Sequence, residues 1–249
     1  MVMRLKGVKW TPHLMDLVAH ENKSEWYLKN VNPRGLVPVL VDDGKVIVES
    51  NDIVDYLDAK FPPLLGPASD RDSEDDLHLS MRAMTFTFGI PPVLAKPPKQ
   101  KMEAYREYGK KVEGPGQDHD TQVEFWTRYD ANGGCSGREI VVAYDRICEA
   151  FGGLEARLEG KTFFGGDEVS LNDIVWFPTV HRLALVGFDL EARCPRLSKW
   201  RAACLADVPS IGLEAEKKST ITKVFHLYQR FITGATLEQA VAKYRAAMK

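Results

Sequence analysis

Apolar residues recur at helical spacing through most of the chain beyond its first quarter. From Ile140 to Leu158 they fall at Val141, Tyr144, Ile147, Cys148, Phe151, Leu154 and Leu158, near the 3.6-residue period, which predicts a long amphipathic helix. Leu171 to Val186 is almost wholly apolar and predicts the buried central helix of its unit. Helices are also expected over Leu77–Phe88, Lys99–Val112, Leu197–Leu205 and Ser219–Ile232, with a polar amphipathic tail helix over Thr236–Met248. Pro91, Pro92, Pro97, Pro98 and the run Gly114-Pro115-Gly116 interrupt this pattern.

The first quarter is patterned differently. Val8, Trp10 and Leu14 predict a strand over Val8–Asp16, with Pro12 confining it to an edge. Ser24 is placed to cap a short helix through Lys29. Leu36–Val41 and Val46-Ile47-Val48 flank Asp42-Asp43-Gly44-Lys45, so residues 36–48 read as a β-hairpin with a tight turn. Ile53, Val54, Tyr56 and Leu57 give one face to a helix over Ser50–Lys60, which Phe61-Pro62-Pro63 ends. Leu64–Asp76 is rich in acids, Gly, Pro and Ser, a linker composition. The pattern therefore predicts an α+β chain: a small α/β unit over 1–63, a linker over 64–76 and an all-helical unit over 77–249, with an insert at 96–139.

Composition narrows the function classes. The chain has 249 residues, 44% hydrophobic and 27% charged, as in ordinary globular proteins. Its net charge of −2 gives no reason to expect a nucleic-acid or acidic-membrane partner. No apolar run reaches the roughly 20 residues that span a bilayer, and Met1-Val2-Met3-Arg4-Leu5-Lys6 lacks the apolar core of a signal peptide. Cys135, Cys148, Cys194 and Cys204 form no C-x-x-C pair, and no His stands beside them at zinc-ligand spacing. No metal site is expected, and the cysteines read as reduced thiols of a cytoplasmic protein, Cys194 and Cys204 as packing residues.

Two motifs, in order, carry a specific resemblance. The first is Asn32-Pro33-Arg34-Gly35-Leu36-Val37-Pro38-Val39-Leu40, followed by Gly44 and Glu49-Ser50; the second is Phe164-Gly165-Gly166-Asp167 leading into Ser170-Leu171-Asn172-Asp173. On these the chain is identified as a member of the cytosolic glutathione transferase superfamily. The resemblance implies a thioredoxin-like first domain followed by an all-α second domain, with glutathione as cosubstrate. It implies that Pro38 is cis and that Val37 pairs its backbone with the cysteinyl part of glutathione; a trans Pro at a strand start is the plain alternative. Ser50 and Glu49 would meet the γ-glutamyl carboxylate and ammonium, Ser50 also capping its helix; a simple cap with a solvated neighbour is the alternative. Lys23 would meet the glycyl carboxylate, or else be an exposed lysine ahead of a helix. Ser170 and Asp173 form a capping box of structural rather than chemical role.

The insert, with Lys99-Gln100-Lys101, Tyr105, Tyr108, Trp126 and Tyr129, resembles those of bacterial transferases that attack aryl ethers or chlorinated hydroquinones, the lignin β-etherase group above all; Ser24-Glu25-Trp26-Tyr27 resembles the same group. The plain alternative is that these aromatics pack the insert. The family also has a first βα unit carrying an activating Ser, Cys or Tyr, and only seven residues precede Val8 here. The thioredoxin-like domain is thus expected to be incomplete at its first strand, the activating residue is unassigned, and the chain alone is expected to activate glutathione poorly. A late start or truncation, a degenerate subunit and a local rearrangement each explain that gap. This leaves two functions: an enzyme attacking an aryl ether or halogenated aromatic, or a non-catalytic subunit completing a partner. The expected partners are glutathione, a small aromatic electrophile and a second subunit in a homodimer or heterodimer.

Overall fold

A computed structural model describes residues 1–66, 74, 76–109, 119–212, 224, 227, 231 and 235–248. In the first unit, α1 (Val2–Leu5) precedes an extended segment and a 3-10 turn (Glu21–Lys23). Then come α2 (Glu25–Asn30), β1 (Val39–Asp42), β2 (Lys45–Val48) and α3 (Ser50–Lys60). The strands are antiparallel, Val39 opposite Val48 and Asp42 opposite Lys45. Asp43 and Gly44 both have positive φ, 48° and 80°, as a two-residue type I′ turn requires. The hairpin, α2 with its Ser24 cap, and α3 are where the sequence places them; the Val37-Pro38 bond is cis.

Val8–Asp16 is not a strand. Leu14 is 88% exposed, so its apolar residues face no core, and Pro12 withholds an amide from any ladder. The segment runs into a turn built by side chains: Asp16 Oδ1 accepts from the amides of Val18 and Ala19, both at 2.9 Å, and Glu21 Oε2 accepts from the Asp16 amide at 2.8 Å.

The second unit is helical: α4 (His78–Met84) running into a π-helical turn (Thr85–Gly89), α5 (Pro92–Ala95), α6 (Lys99–Tyr108), α7 (His119–Asn132), α8 (Gly137–Arg157), α9 (Leu171–Leu185), α10 (Leu190–Arg193), α11 (Pro195–Asp207) and α12 (Leu237–Ala247). Most of the expected helix over Ser219–Ile232 and most of the expected linker lie outside the described residues. Helix α7 falls in the insert beyond the expected Lys99–Val112 helix, over residues where the sequence reading places no helix. Its buried residues Gln122, Phe125, Trp126 and Tyr129 are spaced i, i+3, i+4, i+7, the signal that could have found it.

Helix α9 is the core of this unit, with Phe177, Val180 and Leu183 fully buried. Its start is fixed by a buried carboxylate. Asp173 Oδ2 accepts from the Ser170 amide at 2.8 Å and hydroxyl at 2.7 Å; Oδ1 accepts from the Phe164 amide at 2.9 Å and Trp200 Nε1 at 2.7 Å. The expected capping box is thus present, and it also ties the Phe164-Gly165-Gly166 turn to α11.

A second buried ion, Lys6, joins the units. Its Nζ pairs with Asp58 Oδ1 and donates to the carbonyls of Phe61 and Pro63, all at 2.6 Å. Asp58 also accepts from the Leu65 amide at 3.0 Å, and the Leu65 carbonyl accepts from the amide of Leu171 at the start of α9 at 3.2 Å.

Candidate functional site

The loop 32–36 is pinned from several sides. Asn32 Oδ1 accepts from the Arg34 amide at 3.0 Å, and its Nδ2 donates to the Leu36 carbonyl at 3.0 Å. Tyr27 Oη donates to the same carbonyl at 2.6 Å, and Asn22 Nδ2 donates to the Gly35 carbonyl at 2.7 Å. Tyr105, on α6, donates its hydroxyl to the Arg34 carbonyl at 2.9 Å. Gly35 has φ +64°, and a Cβ there would lie 2.8 Å from Tyr105 Cε2, so only glycine lets ring and loop meet.

This loop delivers Val37 and Pro38 to the end of the hairpin where Glu49 and Ser50 stand, as the Val39–Val48 pairing dictates. Val37, Pro38 and Ser50 are exposed. Ser50 is not the cap of α3: it is the first helical residue, and Glu49, at φ 65°, holds the cap position without a side-chain capping bond. The Glu49 carboxylate turns instead to Arg34, whose Nη1 donates to Oε1 at 2.7 Å, because a guanidinium 3% exposed needs an anionic partner.

Lys23 ends the 3-10 turn before α2. It is 4% exposed, not a surface lysine, and lines a cavity of about 590 Å³ between the two units. Leu17, Val18, His20, Asn22, Gly35 and Leu36 form the wall from the first unit. Arg82 and Phe86 come from α4 and its π turn, Gln122 and Trp126 from α7, and Phe177, His181 and Arg182 from α9. Phe86 packs on Trp126 at 5.0 Å, and Trp126 packs edge-on against Tyr129 at 5.6 Å. Trp126 and Tyr129 thus pack within the helical unit, as the plain alternative had it, with Trp126 also facing the cavity, while Tyr105 and Tyr108 lie under Lys23 and Lys29 of the first unit.

The cavity is apolar in area and cationic in charge. The Lys23 ammonium lies over the Tyr105 ring, 3.7 Å from its centroid. Burial lowers its pKa to about 7, and repulsion from Arg82 adds to this. Burial lowers Arg82 to about 10, and burial followed by the Lys23 charge lowers His20. Arg201 Nε donates to His181 Nδ1 at 3.2 Å, which puts the imidazole proton on Nε2, and the ring stacks on Phe177. Sequence reasoning missed His20, Arg82, Gln122 and His181. The signal was a basic residue within an otherwise apolar helix face, Arg82 among Met81, Ala83 and Met84, and His181 within α9. Among the described residues no Ser, Cys or Tyr lines the cavity, and no cluster of His, Cys, Asp or Glu is arranged to hold a metal ion.

A hairpin entered through a cis Val-Pro bond, a helix starting beside it, and a cavity shared with a helical unit define a thioredoxin-like domain joined to an all-α domain. Residues 1–67 match the glutathione S-transferase N-terminal domain and residues 124–203 the glutathione S-transferase C-terminal domain, so the chain belongs to the glutathione S-transferase family and is an enzyme whose cosubstrate is glutathione. Glutathione S-transferase omega-1 of Sus scrofa is 27% identical over 225 residues, covering 88% of this chain and 75% of that protein. Protein LigF of Sphingobium sp. is 44% identical over 57 residues, 23% of this chain and 22% of that one. The crystal structure of beta-etherase LigF superposes with a TM-score of 0.68 at 23% identity, covering 87% of this chain and 92% of that one. Rice GST1 in complex with glutathione superposes at 0.55 and 20% identity, with 92% and 90% covered. No helix among the described residues is long and apolar enough to cross a membrane.

Proposed function

We propose that the chain joins glutathione to an aromatic electrophile, with glutathione along Val37, Pro38, Glu49 and Ser50 and the electrophile in the cavity. The observation that carries this is the aromatic cavity lying directly behind the loop that leads into Val37-Pro38. Val37 offers its backbone to the cysteinyl unit. Ser50 and the first amides of α3 receive the γ-glutamyl carboxylate, where helix polarity favours an anion. Glu49 faces the γ-glutamyl ammonium while Arg34 keeps its side chain in place.

The glutathione thiolate attacks a carbon bearing an aryloxy or halide group. The C–S bond forms, the bond to the leaving group breaks, and that group departs with the electron pair, a phenolate then taking a proton from water. Phe86, Trp126 and Phe177 hold the arene and exclude water. The likeness to beta-etherase LigF favours aryl ethers among such electrophiles. The domain limits 1–63 and 77–249, a cytoplasmic setting and a dimer are part of the same reading.

Ser50→Ala removes one charge-assisted hydrogen bond to the γ-glutamyl carboxylate, worth about 1.5–3 kcal/mol, so glutathione affinity should fall roughly 10- to 150-fold. Calorimetry on the variant reads this directly, and an unchanged affinity removes the assignment. Release of a phenol from a β-aryl ether, followed by chromatography with glutathione present, tests the reaction. Turnover by the isolated chain separates an enzyme complete in itself from a subunit that needs a partner.

A further inference from the structure

Two neutral polar groups in the cavity wall are not used by the fold. Gln122, on α7, is 1% exposed, and its Nε2 has no hydrogen-bond partner among the described residues. Thr85 opens the π-helical turn, where a Thr hydroxyl ordinarily bonds back to a carbonyl one turn earlier. Its Oγ1 is buried and also has no partner among the described residues. Both residues line the cavity, and both flank its aromatic pair. Phe86 follows Thr85 on the turn, and Trp126 lies one helical turn beyond Gln122 on the same face of α7. The two rings pack at 5.0 Å. A buried donor left unpaired is costly, and whatever enters the cavity beside these rings can supply the missing partner. The terminal torsion of a glutamine is soft, so its amide can turn to such a group without strain. A hydroxyl answers both groups at once: its oxygen accepts from Nε2, and its hydrogen is donated to Oγ1. A wholly apolar ring that displaces water there leaves both unpaired.

We infer that Gln122 and Thr85 select the second substrate, an aromatic compound with an uncharged hydroxyl on its ring, by hydrogen bonding that hydroxyl beside Phe86 and Trp126. This rests on the reading that the electrophile occupies the cavity. Both residues belong to the helical unit, and Val37, Pro38, Glu49 and Ser50 do not line the cavity. Glutathione along the hairpin end therefore leaves Gln122 and Thr85 to the second substrate.

The test uses 2-naphthol and 2-methylnaphthalene, which match in shape and differ by a hydroxyl against a methyl group. Each is titrated into the full chain and followed by its own fluorescence, at neutral pH, where the naphthol is uncharged. Gln122→Leu and Thr85→Val should each lower the ratio of naphthol to methylnaphthalene affinity about three- to tenfold, the scale of one neutral hydrogen bond. Methylnaphthalene should bind both variants at least as well as the parent, which shows that the cavity is still formed. Glutathione affinity, read by calorimetry, should be the same in all three proteins. An unchanged ratio in either variant overturns the inference. A loss of glutathione affinity that matches the loss of naphthol also overturns it, by giving these groups to glutathione. If Gln122→Leu does not fold, the isosteric Thr85→Val decides alone. Failure of methylnaphthalene to bind the parent counts against the cavity reading itself, and the inference falls with it; an unchanged ratio with methylnaphthalene bound removes the inference alone.

Discussion

Replacing Lys23 with Met should stabilise the folded protein, and by an amount that depends on pH. The ordinary lysine value is 10.5, and in the folded chain it is lowered to about 7. Between these values the unfolded chain holds a proton that the folded chain does not, so the stability of the parent rises with pH from about 7 to about 10.5. Below about 7 both states are protonated and the full penalty applies. The gap of 3.5 pH units, 10.5 minus about 7, corresponds to about 5 kcal/mol at 1.36 kcal/mol per unit. At pH 9 the remaining gap of about 1.5 corresponds to about 2 kcal/mol. Met fills nearly the same volume as the lysine stem and carries no charge. Lys23→Met should therefore gain about 3 kcal/mol more over the parent at pH 6 than at pH 9. Urea unfolding at both pH values, in a buffer free of carboxylate and phosphate, measures the difference from the midpoints and slopes. An advantage equal at the two pH values, or a variant less stable than the parent at pH 6, refutes the reasoning.

Two other substitutions probe the supports of the site. Gly35→Ala forces a Cβ to 2.8 Å from the Tyr105 ring at φ +64°, and should cost about 2–3 kcal/mol in urea unfolding. Lys6→Met strands the Asp58 carboxylate, whose side chain is 8% exposed, and should cost about 3–5 kcal/mol; the Lys6→Met/Asp58→Asn double variant should recover part of the loss on the same measurement.

What could be read from the sequence was what local rules decide. The hairpin is legible in Asp43-Gly44 between apolar runs, and α3, α8, α9 and α12 in their apolar spacing. The strand over Val8–Asp16 fails because Val8, Trp10 and Leu14 mimic a strand, whereas pairing depends on a neighbour that no local pattern reveals. Ser50 reads as a cap because a hydroxyl before a helix usually is one; Glu49, at positive φ and with its carboxylate on Arg34, holds the cap position instead, and Ser50 is the first helical residue. The hairpin end of the site is legible because its motif is contiguous. The cavity is not, because Lys23, Arg82, Trp126 and His181 lie far apart in the chain and are brought together by packing alone. The charge of Lys23 is plain in the sequence; its burial under Tyr105 is not.

The reach of Tyr105 into the first unit limits how far the two halves can be exchanged. Its hydroxyl holds the Arg34 carbonyl, its ring supports the Lys23 ammonium, and its edge occupies the space that Gly35 leaves open. A chimera grafting residues 1–66 onto the helical half of another transferase would keep its hairpin but lose the floor beneath its 32–36 loop. It would also bury a cation against whatever that foreign helix presents. The halves look modular along the chain, yet the seam between them runs through one aromatic ring, and recombination would have to carry that ring along.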